Sequence, residues 1–67
     1  MKIRFNQEKD IELKDGTTLI ELLKELGLYK DGVAVAIDES IVKKADFENY
    51  VLKDGMNVDI FNMVSGG

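Results

Sequence analysis

One stretch of this chain, residues 18–26, carries apolar side chains at helical spacing over two turns, and that limits the fold more than any other feature. Leu19, Leu22, Leu23 and Leu26 fall at i, i+3, i+4 and i+7, a single stripe of an amphipathic helix. Thr18 and Glu21 stand three apart at its start, the spacing of a capping box, in which each side chain satisfies the other's backbone N–H. Gly27 supplies the residue that most often closes a helix C-terminus. A lone leucine stripe must be buried against something. The rest of the 67 residues therefore has to provide one apolar surface for one helix, inside a single small domain.

The flanking segments have the other period. Residues 2–6 alternate, with Ile3 and Phe5 apolar between Lys2, Arg4 and Asn6. Residues 10–14 alternate again, with Ile11 and Leu13 on one side. The polar link Asn6-Gln7-Glu8-Lys9 makes these two a β-hairpin whose turn type is left open, because neither Asn-Gly nor Asp-Gly is present. Val33–Ile37 is a short run rich in β-branched residues, fit for a central strand covered on at least one face. Its alanines mark places where something packs closely or where the second face is partly open. Asp38-Glu39-Ser40 is a turn, Ile41-Val42 a brief edge strand, and Ala45–Asn49 a helical turn, with Phe47, Tyr50 and Val51 as anchors. A last strand runs from Met56 to Met63, with Val58 and Ile60 inward and Asp59, Phe61 and Met63 on the opposite side. Lys-Asp-Gly occurs at residues 14–16, 30–32 and 53–55 at unequal spacing. It is one turn solution used three times, with glycine at positive φ and aspartate bonding its own backbone. The expected class is α+β: one mixed sheet of four to five strands with one main helix on one face.

Composition removes several functions. The chain has no Cys and no His, so disulfides, thiolate metal sites and imidazole proton transfer are excluded. No metal site is expected, and a domain this small has little room for an active-site pocket. A formal charge of −4, with Lys43-Lys44 the only adjacent basic pair, argues against nucleic acid and suits docking on a basic protein surface. No apolar run is long enough to cross a bilayer, and the first residues lack the apolar core of a signal peptide. The expected location is the cytoplasm, and the expected state when free is a monomer.

Chemistry then concentrates at residues 63–67. Ser65, Gly66 and Gly67 follow directly on the last strand, and two glycines give a thin segment able to enter a narrow slot in a partner. Residues 64–67 are expected to form a flexible tail on a single domain spanning 1–67. The Gly67 carboxylate is ionised at neutral pH and is a poor electrophile until activated, most simply as a mixed anhydride with AMP. The chain has no phosphate-binding Gly-x-x-x-x-Gly-Lys-Ser/Thr loop and binds no cofactor of its own, so ATP must be used by a partner. Phe61, Met63 and Val64 are candidate partner contacts. For Phe61 two readings stand: an exposed anchor, or a side chain covered by a second layer or by the segment 43–51.

Gly16-Thr17-Thr18-Leu19-Ile20-Glu21-Leu22-Leu23, Val33-Ala34-Val35-Ala36-Ile37-Asp38, Ile41-Val42, Leu52-Lys53-Asp54-Gly55 and Gly66-Gly67, in this order and spacing, together resemble the ThiS family, the sulfur carriers of thiamine biosynthesis. The resemblance covers nearly the whole chain. It implies a β-grasp (ubiquitin-like) fold and a protein co-substrate in place of an enzyme. It implies that Gly67 is adenylated by an E1-like enzyme of the ThiF type and converted to a thiocarboxylate. The sulfur comes from a donor such as a cysteine desulfurase and passes to thiazole synthase, of the ThiG type. Lys43, Phe47 and Met56 stand where the family often has proline, tryptophan and aspartate. A carrier for another pathway, such as the small subunit of molybdopterin synthase, a ubiquitin-like modifier, or an interaction module with an inert tail remain alternatives.

Overall fold

The computed structural model describes residues 1–62. Along the chain come β1 (Lys2–Phe5), β2 (Lys9–Glu12), α1 (Leu19–Glu25), β3 (Val33–Ile37), β4 (Ser40–Val42), a 3-10 turn at Lys44–Asp46, and β5 (Asn57–Asn62). The five strands form one sheet in the order β2-β1-β5-β3-β4. β1 and β5 run parallel, and the other three pairs are antiparallel. The last strand in sequence is thus the middle strand in space. This mixed sheet with one helix is the β-grasp arrangement.

Pleating sorts the side chains. Ile3, Val35, Ile37, Val58 and Ile60 form one cluster with Leu19, Leu22 and Leu23 of α1 and with Phe47 and Leu52, none more than 8% exposed. The leucine stripe is core, as its spacing implies. Leu26 and Leu28 pack at the edge of the same cluster. Phe47 anchors the irregular segment after β4, and Tyr50 is half-buried, but Val51 is 47% exposed. The reason is local alternation. Leu19 N–H donates to Tyr50 O and Leu52 N–H to Thr17 O, so residues 50–52 lie extended beside residues 17–19. Tyr50 and Leu52 then turn inward and Val51 outward.

The helix ends match their signals. The Glu21 N–H donates to Thr18 Oγ1, and the Thr18 N–H donates to Glu21 Oε1 at 2.9 Å. At the other end Gly27 N–H donates to Lys24 O and Leu28 N–H to Leu23 O, the paired bonds of a Schellman closure. The three Lys-Asp-Gly glycines share φ of 84–88°. Two of their aspartates do otherwise than expected. Asp54 Oδ1 accepts from the Lys2 N–H at 2.7 Å, and Asp15 lies 3.4 Å from the Met1 nitrogen. Each carboxylate serves a donor at the start of β1 in place of its own turn.

Both hairpins turn on non-glycine residues in the left-handed region. Asn6 and Gln7 have φ of 50° and 58°, and Asp38 and Glu39 have 48° and 71°. Two successive positive φ values match the right-handed twist of the flanking strands. Without glycine at these positions, the turn type was not readable from composition.

Candidate functional site

Residues 63–67, which include Met63, Val64, Ser65, Gly66 and Gly67, lie outside the described residues. The geometry that leads to them is the end of β5. β5 is held on one side by β3 along its whole length, from Ile37↔Val58 to Val33↔Asn62. On the other side β1 pairs with it only through Arg4↔Asn57 and Phe5↔Val58. The strand that joins residues 63–67 therefore stands in the middle of the sheet, with core residues Val58 and Ile60 rooted beneath the helix.

Phe61 is not covered by residues 43–51. It is 51% exposed and lies opposite Ala34 on the sheet face away from α1. On the same face Ala36 sits between Asp59 of β5 and Ile41 of β4. Ile41 is 71% exposed. The small alanines thus floor a shallow apolar surface bordered by two large side chains: Ala34 is partly exposed, as on a partly open face, while Ala36 is 6% exposed and closely packed between its neighbours. Ile41 was legible in the sequence only as part of a brief edge strand and not as a surface contact, because a three-residue strand has too few positions to show alternation.

The other end of this face is polar. Arg4 Nη1 approaches Asp10 Oδ1 at 3.5 Å, with both side chains about half exposed, so the pair contributes little to stability. On the α1 side of the β5 exit is a groove of about 450 Å³ bordered by Phe5, Asn6, Leu28, Lys30, Ile60 and Phe61. Phe61 stands between this groove and the open face.

The described residues offer no catalytic constellation of their own. None of their ionisable side chains is buried, and no three His, Cys, Asp or Glu side chains among them gather as metal ligands. The Glu21 carboxylate is held below the ordinary glutamate range by its bonds to the Thr18 N–H and hydroxyl, which marks a helix cap. No helix among the described residues is long and apolar enough to cross a membrane.

A five-stranded mixed sheet with β5 at its centre and one helix on one face defines the class by its fold: the β-grasp, ubiquitin-like proteins. Comparison narrows it. The model of the ThiS family matches residues 2–67, and the chain belongs to that family. It is 31% identical to the sulfur carrier protein ThiS of Escherichia coli (strain K12) over 67 residues, covering 100% of both chains. Its fold is similar to the crystal structure of the thiamine biosynthesis protein ThiS from Geobacter metallireducens, with a TM-score of 0.83 at 23% identity and 100% coverage of each chain.

Proposed function

We propose that this protein is a sulfur carrier whose reactive group is the Gly67 carboxylate, serving thiazole formation in thiamine biosynthesis. The observation that carries the reading is membership of the ThiS family across residues 2–67, a span that includes Gly66 and Gly67. The curated relative named as a sulfur carrier supports the same role.

The chemistry is the one that the family membership implies. The carboxylate oxygen attacks the α-phosphorus of ATP, and pyrophosphate leaves. The resulting acyl adenylate is an electrophile. A persulfide on the sulfur donor then displaces AMP to give an acyl disulfide, and a thiol of the partner attacks the donor-side sulfur of that bond, leaving a thiocarboxylate at Gly67 and a disulfide on the partner. The sequence carries no Gly-x-x-x-x-Gly-Lys-Ser/Thr phosphate loop, so an E1-like enzyme holds the ATP. Absence of cysteine means that no thiol of this chain competes for the activated carbonyl. Glycine at the last two positions lets the segment enter the activating site without Cβ clashes. Phe61, with Met63 and Val64 after it, provides apolar contact next to the entering segment. A cysteine desulfurase is the sulfur donor and thiazole synthase the acceptor. The carrier works as a monomer in the cytoplasm.

The test is intact mass after incubation with the activating enzyme, ATP and a sulfur source. The expected gain is that of one oxygen replaced by sulfur, mapped to Gly67. A chain lacking Gly67, or extended by one residue beyond it, should stay unmodified. If either variant still accepts AMP, the proposal fails. Rescue of a deletion strain by thiamine, and not by molybdenum cofactor, separates the two carrier pathways.

A further inference from the structure

β1 leaves the sheet's centre before β5 ends, and one side chain replaces the missing rung. Along the parallel pair, Lys2 N–H donates to Asp54 Oδ1, Gly55 N–H to Lys2 O, Arg4 N–H to Met56 O, and Asn6 N–H to Val58 O. The next donor on β5 is Ile60 N–H. By then the backbone has turned away, since Asn6 and Gln7 are the left-handed residues of the first hairpin. Asn6 Oδ1 takes the place of a strand carbonyl and accepts from Ile60 N–H at 2.7 Å, across 54 residues of sequence.

We infer that Asn6 is a positioning residue for the activation reaction, holding the end of β5 to which residues 63–67 are joined. This rests on the carrier reading above. The asymmetry makes the role specific. On the β3 side, residues 60–62 keep backbone pairing to the last position of β5. On the β1 side, past Asn6 N–H, the described bond is this side-chain one. Freeing Ile60 N–H lets the strand end fray from that side. A terminal segment attached to a loosened strand loses more freedom when it enters a partner's slot, so the cost appears in affinity.

Three variants separate the bond from the turn. Asn6→Gly keeps the left-handed conformation and removes the acceptor. Gln7→Gly changes the neighbouring residue of the same turn, also at positive φ (58°), and leaves the acceptor in place. Asn6→Asp keeps an acceptor oxygen on a side chain that tolerates the conformation. Amide exchange at Ile60, read by NMR on the intact chain, should speed up by about three- to tenfold in Asn6→Gly, the factor of one neutral hydrogen bond. It should stay near the wild-type rate in the other two variants, and the same spectra report whether each is folded. In steady-state adenylation by the activating enzyme, Asn6→Gly should raise KM for the carrier by a similar factor with kcat within about twofold. Asn6→Asp should restore KM, and Gln7→Gly should leave it unchanged. Equal KM shifts in both glycine variants, or no gain in Ile60 exchange, would overturn the assignment. A wild-type chain that takes no AMP overturns the carrier reading instead, and Ile60 exchange then still decides whether Asn6 holds the strand end.

Discussion

The two faces of the sheet are built from alternate residues of the same strands, yet they differ in almost every physical respect. Toward α1, Ile3, Val35, Ile37, Val58 and Ile60 are sealed against the leucine stripe, Phe47 and Leu52. Away from α1, Arg4 faces Asp10, and Ala34 and Ala36 lie beside the exposed Phe61 and Ile41. One face spends the chain's few large apolar residues on stability. The other leaves two of them in water, where they add little to folding and remain free to meet a partner. In a domain of 67 residues one packed face is all that the apolar inventory supports.

The strongest way to break this comparison is to truncate one residue on each face. Leu23 is fully buried, so Leu23→Ala should destabilise by about 2–5 kcal/mol, measured by urea unfolding. Phe61→Ala removes a larger side chain but should cost under about 1 kcal/mol, because half of it is already exposed. Its main effect should be a higher KM for the activating enzyme. Comparable losses of stability in both variants would mean that the open face is core after all.

Smaller perturbations sharpen the covered face. Thr18→Ala removes the acceptor for the Glu21 N–H and should cost about 1 kcal/mol, visible as a shifted unfolding midpoint with an unchanged m-value. The smallest effect is one of pH. Glu21's carboxylate is held below the ordinary glutamate range by its bonds to Thr18, so the folded state favours the charged form. That contribution is present above the ordinary glutamate value and fades as pH falls through the lowered folded one. Glu21→Gln should flatten this acid limb slightly. An unchanged limb would show that the cap acts without its charge.

Much of the local structure was legible in advance, because its causes are local. The helix from Leu19 to Glu25 follows from leucine spacing, and its ends follow from Thr18, Glu21 and Gly27, which bond within a few residues. Strand positions followed from two-residue alternation, which also put Asp59 and Phe61 opposite Val58 and Ile60. Offsets of a residue or two at the strand ends, such as β2 closing at Glu12 where alternation continued to Lys14, reflect where partner strands stop. That is not written in the strand itself.

What the sequence by itself determined is one helix, its covered stripe, the strand periods and the three glycine turns, since each depends on backbone and side-chain preferences over a few residues. Tertiary structure alone decided that β5 takes the centre of the sheet and that Phe61 and Ile41 share an open face with the two alanines. It also decided that Asp54 and Asn6 would cap the two ends of the parallel pair, reaching across 52 and 54 residues. The physical reason is that an unpaired backbone N–H must find an acceptor wherever its neighbouring strand runs out. Which side chain stands there depends on the whole fold.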